Sequence, residues 1–430
     1  MELTALLTIL VLLALLLGLG LWIGPSLFIT GWVALTIFTD RPVLQIMGSV
    51  VWNNVNSSSL MALPLFIMMG EFLVRTRISD ELFEGLAPWV ARFPGGLLHV
   101  NVIACAFFAA ITGSVNATTA IVGKITIPEF RKRGYDESLS IGSLTSSGTL
   151  GILIPPSVPM LIYGVAANVS IGKLFIAGLL PGLLLMCCFC LYLGVMAKVK
   201  HMTADAGTYS WEHRMRSLPK IAPVVALIGA VLGSIYAGWA TPTEAAAIGV
   251  LGAFLLGFTT GCMNFKVVTE CLIGCVKTNC MVMFILIGAS FFSVALGFLG
   301  LPKWIGATLV SHGVGLVEVM ALITIVYLIL GCLIDGYSMI VMTVPLFVPL
   351  VLEFGVDPLW FGIYVVLMVQ AANITPPVGF NLFLVTGLAD RSIGFVSRSV
   401  LPFIGVMLLF MLLLAFFPQI VLVLPNMMGR

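Results

Sequence analysis

The chain has 430 residues, 60% of them apolar and only 9% charged, with 20 basic and 18 acidic side chains. Soluble domains carry about 25% charged residues, so these charges cannot cover a water-facing surface. The net charge of +2 also excludes the basic face of a nucleic-acid binder and the high charge of a disordered chain. What remains is an all-α polytopic membrane protein, in which each span pairs its own backbone groups.

The first apolar run reaches Trp22 behind an acidic Glu2. A cleaved leader wants a basic start and a shorter core, so this run is read as a retained first span. Further apolar segments cover 25–38, 57–74, 96–130, 138–168 and 173–197. A polar stretch, Lys198 to Ser217, then separates two halves, and apolar segments resume at 219–238, 241–262, 278–300, 315–352, 358–388 and 396–424. Amphipathic pieces at 43–54 and 263–276 precede a span in each half. Cys187 and Cys190 have C-x-x-C spacing inside an apolar run; no second pair accompanies them, and they read as packing residues.

The halves share landmarks. Pro128 and Pro349, Gly134 and Gly355, Asp136 and Asp357, Pro155-Pro156 and Pro376-Pro377, and Pro181 and Pro402 all stand 221 residues apart. One constant offset indicates an internal repeat of the kind that builds transporters. The segment Arg131-Lys132-Arg133 corresponds to Leu352-Glu353-Phe354. Basic loops stay cytoplasmic, so the contrast predicts an inverted repeat. With the N-terminus outside and one re-entrant hairpin per half, fifteen basic residues face the cytoplasm, and Arg41, Lys173, Lys303 and Arg430 face outward.

Two segments predict hairpin tips. Gly113, Ser114, Asn116 and Thr118 lie between apolar arms 97–112 and 118–130, each short for a core about 30 Å thick. Such a tip needs burial in protein rather than lipid; the alternative is one continuous span with a polar packing face. In the second half, Asp335-Gly336-Tyr337-Ser338 lies between 315–333 and 339–354. An ionisable group at that depth marks an ion or substrate site, or caps the following helix; both readings stand.

Ser146-Ser147-Gly148-Thr149-Leu150-Gly151 precedes Pro155-Pro156, and Gln370-Ala371-Ala372-Asn373-Ile374-Thr375 precedes Pro376-Pro377. Proline removes an amide donor and breaks the preceding turn, freeing carbonyls that suit a hard cation such as sodium. Two broken helices in matching positions predict a midplane site; a simple kink is the alternative at each. Thr241-Pro242-Thr243-Glu244 reads as a helix start. No nucleotide-binding loop, zinc-protease motif or nucleophile elbow is present, so transport must draw on an ion gradient, and no enzymatic activity or cofactor is expected.

Four motifs occur in order: Gly148-Thr-Leu-Gly-Ile-Leu-Ile-Pro-Pro-Ser-Val-Pro159, Ser170-Ile-Gly-Lys-Leu-Phe175, Thr241-Pro-Thr-Glu-Ala-Ala-Ala247 and Ile374-Thr-Pro-Pro-Val-Gly-Phe-Asn-Leu382. With the closing Leu424-Pro-Asn-Met-Met-Gly429, the chain resembles, over nearly its whole length, the large membrane (M) subunit of tripartite ATP-independent periplasmic (TRAP) transporters. The resemblance implies an elevator-type fold of the ion-transporter superfamily in the bacterial cytoplasmic (inner) membrane. It implies uptake driven by sodium, substrate delivery by a periplasmic binding protein, and a small four-helix membrane subunit as partner. Ser114, Asn116, Gly148 and Gly151 would hold one sodium, and Asp335, Ser338, Ala372 and Thr375 a second. Ser114, Asn116, Thr149, Gln370, Asn373 and Asn381 would face a small organic anion, such as a C4-dicarboxylate, sugar acid or sulfonate. Members commonly carry Gly-Ser-Ser-Pro-Ala-Thr at the first tip, where this chain has Gly-Ser-Val-Asn-Ala-Thr; Asn116 therefore puts a dicarboxylate in question.

The corresponding division is scaffold helices and arm of the first repeat at 1–76, its transport part at 77–197 and a cytoplasmic linker at 198–217. Scaffold helices and arm of the second repeat follow at 218–300, then its transport part and last span at 301–430. A stand-alone transporter of the same superfamily is the alternative function. A membrane-embedded enzyme is disfavoured because Asp335 has no histidine or second carboxylate beside it in sequence.

Overall fold

The computed structural model describes residues 2–76, 78–90, 93–201, 210–377 and 379–428. Among them the regular structure is wholly helical, as 21 α-helices and one 3-10 turn. Six helices are long and apolar enough to cross a membrane: Ile171–Val199, Trp211–Tyr236, Pro242–Thr259, Phe265–Phe298, Gly336–Glu353 and Ile393–Phe416. Glu137–Leu153 and Val158–Ala166 pass the same test as one span bent by 41°.

Polar side chains at the starts set many of these boundaries. Asp136 accepts from the Leu139 amide at 2.8 Å, Asn264 from Val267 at 2.9 Å and Asp357 from Leu359 at 2.7 Å. Each satisfies an amide that the first helical turn leaves without an intrahelical partner. At the helix start that the sequence predicts, Thr241 and Glu244 form a reciprocal capping box. Glu71, near a span end, pairs with Arg75 one turn on.

Helices 23–38 and 265–298 cross closely. A Cβ on Gly24 would lie 3.1 Å from the Phe284 carbonyl, and one on Gly31 3.2 Å from Phe292 Cα. Small residues permit this approach where lipid supplies no hydrophobic drive between helices. Phe28 stacks on Phe291 beside it at 4.7 Å between centroids. Helix Ala62–Val74 packs on Pro242–Thr259, and Ile78–Val90 on Trp211–Tyr236.

The two amphipathic pieces differ. Val43–Val55 is a separate helix tied to its neighbour by Ser290 Oγ donating to Asn54 Oδ1 at 3.0 Å. Residues 265–276 are instead the first turns of one 34-residue helix, Phe265–Phe298. No proline interrupts 265–298, so the helix runs through, about 51 Å in length. The polar stretch 198–217 is also partly helical: one helix ends at Val199 and the next begins at Trp211 behind its Ser210 cap. Residues 202–209 lie outside the described residues, as do Arg77, Arg92 and Arg430 of the charge count.

Helical elements recur at the 221-residue spacing. Val115–Lys132 and Gly336–Glu353 both have 18 residues and begin 221 apart. Helices beginning at Glu137 and Pro358 stand at the same interval. Gly134 and Gly355 both have positive φ, at 68° and 74°. Both proline pairs carry a cis peptide bond.

Candidate functional site

Both predicted tips are helix–turn–helix hairpins. In the first, Leu97–Thr112 ends at Gly113, whose φ of 57° is the left-handed conformation that favours glycine. Ser114 then caps Val115–Lys132 through the Ala117 amide at 3.5 Å. Thr112 and Thr118 hydroxyls meet at 2.9 Å across the turn. The first arm is about 24 Å long and the second about 27 Å.

In the second hairpin, Leu316–Leu330 is followed by a turn through 331–334, and Asp335 caps Gly336–Glu353. Asp335 Oδ2 accepts from the Tyr337 amide at 3.0 Å and the Ser338 amide at 3.3 Å. Asp335 Oδ1 accepts from Ser338 Oγ at 2.6 Å. The capping reading of Asp335 is therefore realised. By length its helix reaches the threshold of a span, longer than the re-entrant arm expected.

The broken helices pack against the tips. A Cβ on Gly151 would sit 3.3 Å from the Ser114 carbonyl oxygen, and one on Gly148 would overlap Thr119 Oγ1. Gly148 and Gly151 thus let the first broken helix lie directly on the first tip. A Cβ on Gly336 would lie 3.1 Å from Asn373 Nδ2, which brings the second broken helix to the second tip. Asn373 Nδ2 donates to the Val369 carbonyl at 3.0 Å, and its own carbonyl accepts from the Asn381 amide at 3.1 Å. Asn381 Nδ2 crosses to the Thr145 carbonyl at 2.7 Å and so joins the two broken helices.

Between the tips lies a cavity of about 310 Å³, at the small end of ligand sites. Its lining includes Gly113, Ser114 and Asn116 from one tip, Asp335 and Tyr337 from the other, and Asn373. Two helices start at this cavity, at Val115 and Gly336, so the positive ends of both dipoles face it. Helix C-terminal ends reach it too, at Ile152 and Asn373, whose carbonyls accept from Ser157 Oγ and from the Asn381 amide. No lysine or arginine is in the described lining.

Of the residues expected from sequence, Ser114, Asn116, Asp335 and Asn373 line the cavity. Gly148 and Gly151 pack behind the first tip, and Ser338 sits inside the Asp335 cap. Thr149, Gln370 and Asn381 are fully buried and are not among the lining residues. Thr149 Oγ1 donates to the Ser146 carbonyl at 2.7 Å, and both polar ends of Gln370 have no hydrogen-bond partner among the described residues. Thr375 Oγ1 donates back to Ala371 at 2.8 Å. Ala372 packs against Gly331 behind the second tip. Sequence reasoning assigned no role to Tyr337, Phe380 or Met281, which also line the cavity. Tyr337 and Phe380 stand in quoted motifs and were within reach; Met281 carries no local signal, because only the packing of helix 265–298 brings it there. No group of three or more histidine, cysteine or acidic side chains suited to a metal occurs among the described residues.

At the far end of the first hairpin lies an ionic cluster. Glu137 pairs with Arg131 at 3.1 Å and Arg391 at 2.7 Å, and Asp136 with Lys200 at 2.6 Å. Burial by itself would raise the Asp136 carboxyl, but the Lys200 ammonium and the Leu139 amide hold it below the ordinary carboxylate range.

Residues 10–420 match the family described as tripartite ATP-independent periplasmic transporter, DctM component. The chain is 33% identical to the C4-dicarboxylate TRAP transporter large permease protein DctM of Pseudomonas aeruginosa, over 94% of each chain. It is 33% identical to the isethionate TRAP transporter permease protein DctMQ of Oleidesulfovibrio alaskensis, over 88% of this chain and 60% of that one. Its fold is similar to the YdaH transporter of Alcanivorax borkumensis, with a TM-score of 0.61, 17% identity and coverage of 90% and 89%. Apolar helices long enough to span, a cavity between two hairpin tips and a family match over almost the full length agree: the chain belongs to the TRAP transporters, as a large permease of the DctM family.

Proposed function

We propose that this permease is the translocating subunit of a sodium-coupled, binding-protein-dependent importer of a small organic anion, working by an elevator mechanism in the bacterial inner membrane. The observation that carries this reading is the cavity where two helix N-termini and two helix C-terminal ends converge. The helix start at Val115 favours an anion, and the Asp335 carboxylate and the C-terminal helix ends favour a cation. One cavity thus has the field for both, with no lysine or arginine in its described lining. Ser114, Asn116, Gly148 and Gly151 would hold one sodium, and Asp335, Ser338, Ala372 and Thr375 the other. The anion would sit between Ser114, Asn116 and Asn373, with Thr149, Gln370 and Asn381 supporting the broken helices from behind.

The mobile part would comprise both hairpins, both broken helices and helices 171–199 and 393–416. The glycine-packed pair 23–38 and 265–298, with 62–74 and 242–259, would be the scaffold. The repeat would be inverted, with Arg131-Lys132-Arg133 cytoplasmic. The partners would be a periplasmic substrate-binding protein and a small four-helix membrane subunit; the relative DctMQ, of whose length this chain covers 60%, leaves room for the second. C4-dicarboxylates and sulfonates are the substrate classes to try first, because the relatives' names carry a dicarboxylate and isethionate. The test is uptake into proteoliposomes containing the permease and its small subunit, with the binding protein outside. Uptake is expected only with an inward sodium gradient and the binding protein present. Equal uptake by this chain alone, without either, overturns the reading.

A further inference from the structure

A second cavity, of about 490 Å³, lies away from the hairpin tips, between helix 171–199 and the start of helix 97–112. Met186, Cys190, Gly194 and Lys198 line it at four-residue steps, and so form one stripe along a single helix face. His99 and Ile103 line the opposite wall, where His99 Nε2 is fixed on the Pro94 carbonyl at 2.7 Å and its ring meets Phe93 edge-on at 5.9 Å.

Three features narrow what this groove takes. From Met186 to Lys198 is twelve residues, or about 18 Å of helix, close to one leaflet's share of a core about 30 Å thick. The wall between those ends is almost wholly apolar. The sole charged residue among the described lining is Lys198, which is exposed and makes no ion pair among the described residues, whereas its neighbour Lys200 is paired with Asp136. A slot one leaflet deep, with an unpaired ammonium at its mouth, complements an acyl chain carrying an anionic headgroup.

We propose that this groove binds one anionic phospholipid, with an acyl chain along Met186 to Gly194 and its phosphate at Lys198. Under the orientation given above, the lipid comes from the cytoplasmic leaflet, whose anionic lipids attract basic residues near the surface. The groove also touches Val90, at the end of the helix that packs on Trp211–Tyr236. The bound chain therefore fills the joint between the hairpin part and its neighbouring helices, independently of the transported substrate.

The test uses the full chain purified in detergent and stripped of co-purified lipid. It is titrated with phosphatidylglycerol or phosphatidylcholine of identical acyl chains, and bound lipid is counted by native mass spectrometry. Phosphatidylglycerol is expected to be retained preferentially, at one per chain. Lys198→Gln should weaken that retention about fivefold, the effect of one surface lysine, and leave phosphatidylcholine unchanged. Gly194→Leu should remove the bound lipid, because a Cβ there has its nearest neighbours at 3.9 Å and points into open groove. Ile103→Trp blocks the opposite wall and serves if the first filling variant is not monodisperse. A photoreactive phosphatidylglycerol should label peptides containing 93–103 and 186–198. Equal retention of the two lipids, unchanged retention in Lys198→Gln and both filling variants, or labelling confined to other helices overturns the proposal. None of these readouts involves sodium or transport, so failure here is distinct from failure of the transport reading.

Discussion

The two hairpins share a backbone plan and differ in chemistry. Their second arms have equal length, begin 221 residues apart and start behind a capping side chain at the same cavity. The first cap is the neutral Ser114, which engages one amide at 3.5 Å; the second is the acidic Asp335, which engages two at 3.0 and 3.3 Å. The far ends differ in the opposite sense. Arg131 at the base of the first hairpin is held in an ionic cluster, whereas Glu353 at the base of the second makes no ion pair among the described residues. Two helices of equal length thus start at one cavity, and side chains decide which tip carries charge and which base is basic. The matching backbone elements set position, and the side chains on them differ in charge.

The largest expected effect concerns that direction. In a background without reactive native cysteines, Lys132→Cys and Glu353→Cys should be labelled by an impermeant thiol reagent from opposite faces of the membrane. Labelling from one face breaks the inverted comparison outright.

The next test separates the two tips. Asparagine caps about as well as aspartate, so Asp335→Asn should keep the fold while removing the charge. Sodium-driven uptake should fall roughly a hundredfold, the effect of removing one partner of a buried charge pair at about 3 kcal/mol, with the melting temperature changed little. Ser114→Asn at the neutral tip should cost far less. Equal losses at both tips would make Asp335 only a cap.

A smaller effect tests the contact behind the first tip. Gly148→Ala forces Thr119 Oγ1 to move, and overpacking of this kind costs about 1–3 kcal/mol. That hydroxyl has no hydrogen-bond partner among the described residues, so Thr119→Ala should be nearly neutral by itself and should rescue Gly148→Ala. The non-additivity, read from thermal unfolding of the four variants, measures the contact.

The smallest effect compares Asp136 with Asp357, two caps 221 residues apart of which only Asp136 faces a lysine. Asn at either position keeps the cap. The Asp136 carboxyl is held below its ordinary value, so its stabilising contribution is present above the unfolded pKa of about 3.9 and lost as pH falls through the lower folded value. Melting of Asp136→Asn should therefore lie about 1–2 °C below the parent at pH 7, the modest effect of a half-exposed pair. The gap should close as the pH drops below about 4. Asp357→Asn, which breaks no ion pair among the described residues, should melt close to the parent at pH 7.

Much of this arrangement is legible in residue order. Glycine, proline and capping side chains act on the backbone next to them, so both hairpin turns, both helix breaks and the Thr241 restart can be read locally. The scarcity of charge and the 221-residue recurrence of landmarks are likewise properties of the chain itself, and the first determines the membrane class. The second amphipathic piece is less legible: polarity marks residues 263–276, but only the unbroken hydrogen-bond ladder merges them with the span that follows. Nor does polarity near a break decide which side chain faces the cavity. Asn373 reaches it while Gln370, three residues earlier, is buried among packed helices. Met281, distant in sequence from every motif, reaches it because helix 265–298 passes beside both tips. Local chemistry settles where a helix starts and stops; which of its faces meets a ligand depends on the helices packed against it, and only the tertiary structure decides that.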